Sequence, residues 1–486
     1  MTNIIQGAQK KCLLLMDGSI FFRGMLAIFN ALIRFFEGSF VVRLFTSDFD
    51  EERLRNSYFV RITESTLNVF PKFRMSSKLT LPGILGESAL LRFFTDAMGF
   101  SLPAWGLLAV VAGAPFLPTM TLAAMVIVVF AFTLFRYNFK LDLTATALII
   151  FIAVNILMGL GSLAPASSVP IAILISVIML SYILIRTCFH TRKRLNFVMV
   201  VCITVAAITA LVAFYQIFIG YVNMTWVDRN LFAALRLRVY STFGNPNVYG
   251  AYLLLAIPLS AGLILYVKKP LYKLYAAGVT GMLIVALALT YSRGCYLALA
   301  GAVLVFFLLI EKRLIVFYAL GLLAMPFILP AGMLARIVSI VNFADTSTAF
   351  RLAIWQASLR ILGDFWMAGL GQGIDAYNRV YPFYSFAAVP SPHAHNLFLQ
   401  IFLETGIIGL LVWMAVLACF FRTQFSFMRH TTDVRRKILS AAITAGVIGF
   451  LMQGMFDHVF YNYRVMLVFF LFLGIGNSLT TVEDDS

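Results

Sequence analysis

Long runs of apolar residues are the feature that most restricts how this chain can fold. From residue 99 onward they recur with lengths near those a helix needs to cross roughly 30 Å of hydrocarbon. Because the membrane interior offers no water to the backbone, such runs must be helical. The 486 residues are 61% hydrophobic and 12% charged, against roughly 25% charged residues in soluble domains. The sequence therefore predicts an all-α, polytopic integral membrane protein.

The apolar runs predict about twelve transmembrane helices with one long polar-containing loop between the ninth and tenth. Their approximate ranges are 100–115, 118–135, 143–160, 168–186, 196–220, 248–267, 273–291, 293–310, 314–334, 396–421, 437–456 and 462–480. We divide the chain accordingly into 1–98, an N-terminal cytoplasmic or interfacial extension; 99–334, a first transmembrane bundle; 335–395, an outward-facing loop; and 396–486, the last three spans with a cytoplasmic tail.

Basic residues predict the orientation of the chain. The short loop 161–167 contains no lysine or arginine, whereas 186–194 contains four basic residues. Since cytoplasmic loops carry the excess of positive charge, we predict that both termini are cytoplasmic and that 335–395 faces outward from the cytoplasmic membrane. The net charge of +16 reflects this bias. We therefore predict contact with membrane lipids and no nucleic-acid partner.

The basic residues in the predicted outward loops are all arginines. Arginine contacts phosphate oxygens in a bidentate manner, although ordinary headgroup anchoring accounts for such residues equally well. Arg238 precedes a Gly-Asn-Pro-Asn turn in which Asn247 is placed to cap the next helix. Arg293 lies in a minimal turn at the hydrocarbon boundary, where a charge is costly and usually functional unless it snorkels to the headgroups.

Histidines form the third polar feature. His393 and His395 flank one residue directly before an apolar run, and Asp457-His458 lies in another predicted outward loop. Imidazoles at such a place act as a general base, as metal ligands or as plain hydrogen-bond partners. His393, His395 and His458 have the residue types of a zinc site. No zinc-protease signature accompanies them, and we predict no metal and no cofactor.

The long loop contains further candidates. Its apolar residues recur at helical spacing and predict an amphipathic helix. These positions are Phe350, Ile354, Ala357 and Ile361. Arg351 then projects from another face, toward substrate or solvent. The glycine-rich segment 369–373 predicts a flexible turn, and Tyr377 offers either a platform for a sugar or an anchor at the interface.

Three motifs in this order resemble the O-antigen ligase superfamily, which also includes O-antigen polymerases and protein O-oligosaccharyltransferases. They are Arg238-x-x-Ser-Thr-Phe-Gly-Asn-Pro-Asn247, Tyr291-Ser-Arg-Gly294 and His395-Asn-Leu-Phe-Leu-Gln-Ile-Phe-Leu-Glu-Thr-Gly-Ile-Ile-Gly409. The resemblance covers roughly 196–475. The first 98 residues depart from the pattern, since they are long for an extension before the first span.

The resemblance implies a membrane glycosyltransferase that moves a glycan from an undecaprenyl-pyrophosphate carrier to an acceptor hydroxyl at the outer face of the cytoplasmic membrane. It implies catalytic roles for His395, as a base or orienting group, and for Arg238 and Arg293, as cations facing the departing pyrophosphate without a metal. One displacement inverts the anomeric configuration. The predicted substrate-binding residues are Arg351, His393, Asn396, Asn247 and Tyr377. The acceptor is a glycolipid, a protein or a wall glycan.

Other functions remain open from the sequence. A polymerase of the same superfamily differs from a ligase only in its acceptor, and no residue decides between them. A multi-span transporter also accounts for many spans and a charged residue at the boundary, but it predicts related halves, which the sequence does not show. A purely structural membrane partner would tolerate the loss of Arg293.

Overall fold

The computed structural model describes residues 56–70, 101–220, 238–339, 346–385 and 389–482. Within these ranges all regular structure is helical, so the all-α prediction is confirmed. Most of the predicted extension 1–98 lies outside the described residues, as do both termini.

The described α-helices are numbered here in chain order. They are α1 (Tyr58–Leu67), α2 (Leu102–Gly113), α3 (Thr119–Arg136), α4 (Leu143–Leu160), α5 (Pro165–Cys188), α6 (Arg192–Phe218), α7 (Pro246–Tyr266), α8 (Pro270–Leu289), α9 (Arg293–Ile310), α10 (Ile315–Ile328), α11 (Ala331–Val338), α12 (Thr346–Phe365), α13 (Ile374–Tyr384), α14 (Leu397–His430), α15 (Val434–Gly454) and α16 (Tyr463–Thr481). Short 3₁₀ turns occupy Lys312–Leu314 and Val459–Tyr461.

Ten of the described helices are long and apolar enough to cross a membrane, namely α3 to α9 and α14 to α16. The other two predicted spans correspond to α2 and α10, which have only 12 and 14 residues. Both are shorter than the roughly 20 residues that a straight crossing needs. Proline contributes to the short length of α10, which ends at Ile328, just before Leu329 and Pro330, because the residue before a proline disfavours helical geometry. The polytopic architecture is confirmed, but the count of twelve spans is not.

Helices α7, α15 and α16 form the centre of the bundle, since most of their residues are buried. Helix α15 packs against both α7 and α9, and small residues bring the backbones together. A Cβ atom at Gly446 would lie 3.2 Å from the Leu254 carbonyl oxygen, and one at Gly449 would lie 3.2 Å from that of Ala298. This packing gathers the N-termini of α7, α9 and α14 at one end of the bundle, beside the α15–α16 turn.

The described part of the long loop contains α11, α12 and α13. Helix α12 buries Ile354, Ala357 and Ile361, so the predicted amphipathic helix is present. Phe350 is 54% exposed and does not belong to the buried face. The helix packs on α13 and α14, which places the loop directly over the end of the bundle where the three N-termini meet.

The glycine-rich turn 369–373 is a buried contact with the spans rather than the flexible turn that the sequence predicts. The Gln372 side chain donates to the carbonyl and side-chain oxygens of Asn155 in α4, both at 2.9 Å. The Ser168 hydroxyl of α5 donates to the Gln372 carbonyl at 2.7 Å. The glycines have positive φ, which allows the backbone to turn close to the helices, and this tertiary contact removes the freedom that the composition suggests.

Helix α14 is interrupted at Gly406, and the loop backbone fills the interruption. Gly406 has φ 65° and ψ −172°, outside helical geometry. The Ile407 amide donates to the Trp366 carbonyl at 2.8 Å, and a Cβ atom at Gly406 would lie 2.1 Å from the Met367 carbonyl oxygen. The loop and the first spanning helix after it are therefore joined through their main chains.

Gly406→Ala is expected to destabilise the protein, because the new methyl group meets a carbonyl and the backbone conformation disfavours a side chain. The conformational cost alone is about 1–3 kcal/mol. Gly281→Ala is the matched control, since that glycine lies within α8 with open space where its Cβ would be. The measurement is the midpoint of thermal unfolding of the purified full chain. Equal midpoints for the two variants would contradict the close main-chain contact between the long loop and α14 at Gly406.

Candidate active site

Backbone strain marks the three sequence motifs. Among the described residues, the non-glycine residues with positive φ are Ser241, Tyr291 and His395, with φ of 52°, 49° and 47°. One of them lies in each of the three motifs. Left-handed geometry is unfavourable for residues with a side chain, and such strain concentrates at functional sites. The backbone thus identifies the same three segments as the motifs do.

His395 is paired with a buried carboxylate. Its Nδ1 atom lies 3.0 Å from Oδ1 of Asp457, which is 3% exposed. Burial raises the pKa of Asp457, but the hydrogen bond and charge of His395, followed by the charge of Arg351, outweigh burial and hold that pKa well below its usual value. An ionised carboxylate only accepts hydrogen bonds, so Nδ1 of His395 carries the proton. In the neutral imidazole, Nε2 is then the free acceptor.

Asn247 extends the pair to Arg238. Its Nδ2 donates to the second oxygen of Asp457 at 3.0 Å, and its Oδ1 accepts from Nη2 of Arg238 at 3.2 Å. The same Oδ1 accepts from the Ser292 hydroxyl at 2.9 Å. One continuous set of hydrogen bonds therefore links His395, Asp457, Asn247 and Arg238, which we call the His–Arg network.

The helix cap predicted for Asn247 is wrong. Asn245 is the N-cap of α7, and its side chain accepts from the Asn247 amide at 2.8 Å. Two asparagines flank the proline, and the first has the extended backbone that a cap requires. Because Asn245 satisfies the helix end, the Asn247 side chain can bridge Asp457 and Arg238.

Arg238 is a partly buried cation beside other arginines. Its Nε donates to the Thr290 carbonyl at 2.9 Å. Burial and then the charge of Arg336 lower the pKa of Arg238 to about 10, so it remains protonated at neutral pH. The charge of Arg351 reaches both Arg238 and Asp457. Three arginines thus contribute positive potential to one side of the network.

Arg293 follows the turn between α8 and α9, and its guanidinium contacts Ser339 at the end of α11. Its Nη1 donates to the Ser339 carbonyl at 3.0 Å. Arg336, from the same loop helix, donates to the Tyr291 carbonyl at 3.3 Å. Its neighbour Ser292 belongs to the His–Arg network. Arg293 therefore lies next to the network, with its guanidinium holding the end of α11.

His393 adjoins His395 and is held in the neutral form. The two rings lie 4.3 Å apart, and His393 stacks on Tyr461 at 5.1 Å. Its Nδ1 accepts from the His395 amide at 3.3 Å. Burial, followed by the charge of His395, lowers the pKa of His393 to about 4. Its contacts orient the strained His395 backbone.

The remaining predicted substrate-binding residues, Asn396 and Tyr377, make contacts that stabilise the fold. Asn396 caps α14 by accepting from the Leu399 amide at 3.0 Å, and it donates to the Met455 carbonyl at 2.9 Å. Tyr377 is 1% exposed and stacks on Tyr381 within the apolar core of the loop. These positions do not add support to substrate contact, which stays a prediction for both residues.

Asp457 is the residue that the sequence analysis did not select. It was noted only as the neighbour of His458, yet both its oxygens hold site residues. An acidic residue in a short turn between two spans is itself a signal, because burying a carboxylate at the membrane boundary is costly without a partner. That partner, however, lies 62 residues away in sequence.

Among the described residues, three side chains of the site lie close enough together to share a metal ion. Ligand atoms of His393, His395 and Asp457 lie within 4.8 Å of one another, which replaces the trio with His458 that the sequence suggested. Ligands of tetrahedral zinc lie about 2 Å from the ion and hence about 3.4 Å from one another. Nδ1 of His393 and Nδ1 of His395 already have hydrogen-bond partners. The residue types are compatible with a metal, but these hydrogen bonds would have to break before an ion could bind at either Nδ1 atom.

Comparison with known families agrees with the motifs. Residues 278–414 match the O-antigen ligase family model, Wzy_C. The resemblance to the O-antigen ligase superfamily is therefore confirmed. The matched segment of this O-antigen ligase domain includes Arg293, Arg351, His393 and His395, whereas Arg238 and Asp457 lie outside it. No curated protein matches the chain. The family supports a glycosyltransferase-like role of a multi-pass membrane protein in polysaccharide biosynthesis.

Stability is expected to fall as the pH falls from about 6.5 to 4. The unfolded chain protonates His393 near pH 6.5, whereas the folded chain resists protonation down to about 4. The unfolded state therefore binds more protons in this window, which removes about 1.4 kcal/mol per pH unit for that residue. Burial acts on His458 in the same direction.

The measurement is the unfolding midpoint against pH for the parent and for His393→Gln, which should show a flatter dependence. His430→Gln is the control, because His430 lies exposed at the opposite end of α14. A His393→Gln profile parallel to that of the parent would contradict the buried, neutral assignment.

Proposed function

We propose that this protein transfers a glycan from an undecaprenyl-pyrophosphate carrier to an acceptor hydroxyl at the outer face of the cytoplasmic membrane. The observation that carries the proposal is the His–Arg network, which joins a histidine–carboxylate pair to a partly buried arginine within the family's motifs. Both termini are then cytoplasmic, and the loop 335–395 completes the site from outside. The reaction is a single inverting displacement that uses no metal.

His395 acts as the base in this proposal. The acceptor O–H gives its proton to Nε2 of His395 while its oxygen attacks the anomeric carbon. Asp457 holds the proton on Nδ1 and stabilises the imidazolium that forms. The side chain of His395 is 31% exposed, so the ring can meet a substrate.

Arginines receive the leaving group. The bond between the anomeric carbon and the phosphate oxygen breaks, and its electron pair goes to the lipid diphosphate. Arg238 is fixed in place by Thr290 and Asn247 before any substrate binds, which is the arrangement that lowers a barrier by electrostatic stabilisation. We assign Arg351 and Arg293 to the same anion, since one contributes positive potential to the network and the other borders it.

Glycan transfer should depend on the network. His395→Ala is expected to lower kcat by about 10²–10⁴-fold, the usual effect of losing a general base. Arg238→Ala and Arg293→Ala should each lower it by about 10²–10³-fold, as for loss of a group that stabilises transition-state charge. Asp457→Asn should resemble His395→Ala, because it destabilises the reactive tautomer.

The assay is release of undecaprenyl pyrophosphate from a defined lipid-linked glycan in proteoliposomes, with a glycolipid, a protein or a wall glycan offered as acceptor. His430→Ala and Arg429→Ala are matched controls, since both lie in the last turn of α14, at the opposite end from the site. Normal turnover by His395→Ala would refute the mechanism. Extension of the donor glycan in the absence of these acceptors would identify a polymerase.

Chelation should leave the reaction unchanged, because the arginines carry the charge that a metal would otherwise supply. The test compares initial rates in EDTA with rates in added magnesium, manganese or zinc. Loss of turnover in EDTA, restored by one ion, would instead assign His393, His395 and Asp457 as metal ligands.

A further inference from the structure

A cavity of about 560 Å³ opens beside His395 and extends between the spanning helices. Its apolar lining comes from Phe151 of α4, Ile175 and Met179 of α5, Trp413 of α14 and Met466 of α16. Its mouth is formed by His393, His395 and the turn before α16. A concave, mostly apolar space with a few convergent polar groups is the usual form of a small-molecule site.

Two acidic side chains line this cavity, and hydrogen bonding to His395 holds the pKa of Asp457 low enough to keep it ionised. Glu404 and Asp457 are its acidic residues, and no lysine or arginine occurs among the described residues that line it. The histidines His393 and His458 are buried in its wall and held neutral. Arg238 is linked, through Asn247, to the Asp457 oxygen that His395 does not contact. A diphosphate would therefore be repelled from the cavity and attracted to the arginine side.

Two side chains that line the cavity, those of His458 and Glu404, can form further hydrogen bonds. Nδ1 of His458 is buried and has no hydrogen-bond partner among the described residues. The Oε1 atom of Glu404 accepts from Gln400 at 2.9 Å and from the Gly373 amide at 3.3 Å. A carboxylate offers further acceptor sites on its second oxygen. Buried polar atoms in native proteins are normally paired, so an unpaired imidazole nitrogen on a residue that lines the cavity points to a polar ligand.

We propose that this cavity binds the acceptor and selects a hydroxyl compound with an apolar segment and an uncharged or amine-bearing polar part. The inference rests on the proposed function, because it assigns the two sides of His395 to the two substrates. The apolar segment lies among the spans, Glu404 and His458 contact the polar part, and one hydroxyl reaches His395. The lipid diphosphate occupies the arginine side.

The first test is photolabelling, which needs no turnover. The probe is a diazirine-bearing dodecyl glucoside added to the full chain in nanodiscs, with labelled peptides identified by mass spectrometry. Ile175→Trp fills the cavity and is expected to lower labelling of α5 and α14 by at least about ten-fold, about 1.4 kcal/mol of binding. Ile173→Trp is the control, because Ile173 lies on the same helix, 51% exposed and outside the cavity. Equal labelling in parent and Ile175→Trp would overturn the proposal.

The second test uses charge and does not depend on how Ile175→Trp folds. A diazirine-bearing dodecyl glucuronide has the same chain and one added carboxylate. We expect it to label the parent at least about ten-fold less than the glucoside, since like charges in a partly buried site repel strongly. Equal labelling of the parent by both probes would overturn the selection that we propose.

Kinetic measurements distinguish a failure of the acceptor-site inference from a failure of the proposed glycan transfer. Ile175→Trp should raise KM for the acceptor and leave KM for the lipid-linked donor unchanged. A raised donor KM with an unchanged acceptor KM would place the carrier chain in the cavity, which overturns the inference and leaves glycan transfer standing. If the parent transfers no glycan to any acceptor although the probe labels the cavity, the acceptor role fails together with the proposed function.

Discussion

The hydrogen bond between His395 and Asp457 is the interaction on which the site depends. A carboxylate that is 3% exposed beside the hydrocarbon region is unfavourable unless its oxygens are occupied. One oxygen contacts the imidazole and the other accepts from Asn247. Because one buried charge needs both partners, it holds three distant segments of the chain in register. The same contacts set the tautomer of His395 and extend to a protonated arginine, so the arrangement that satisfies the carboxylate also holds the base and the cation of the proposed mechanism.

The scaffold holds these segments through backbone contacts rather than through side chains alone. The long loop joins α14 at Gly406, where the Trp366 carbonyl accepts the amide freed by the interrupted helix. The turn at Gln372 is tied to α4 and α5 by three hydrogen bonds. Strained φ angles at Ser241, Tyr291 and His395 persist because the surrounding packing determines the backbone there. The site is therefore built at a place where tertiary contacts override local preference.

The two sides of His395 differ in charge, and this difference gives the site a direction. Arg238 lies next to Asn247, whereas the cavity beside His395 is lined by Glu404, Asp457 and apolar side chains. A charged leaving group and a neutral nucleophile have opposite requirements for their surroundings. In the proposed reaction, His395 takes a proton from the acceptor in the cavity while the lipid diphosphate departs toward the arginines.

Membrane spans and motif residues could be predicted from the sequence because their signals are local. An apolar run of sufficient length predicts a membrane-spanning helix from its own residues. Similarly, Arg238, Arg293 and His395 each lie in a short recognisable motif. The predicted spans 100–115 and 314–334 correspond to helices of only 12 and 14 residues, because an apolar run does not by itself determine where its helix ends. Only the tertiary structure identified Asp457, whose partners lie 62 and 210 residues away, and showed that Asn245, not Asn247, caps α7. A hydrogen bond between distant segments leaves no periodicity in the sequence, so the packing of α7, α14 and α15 decided which polar residues meet.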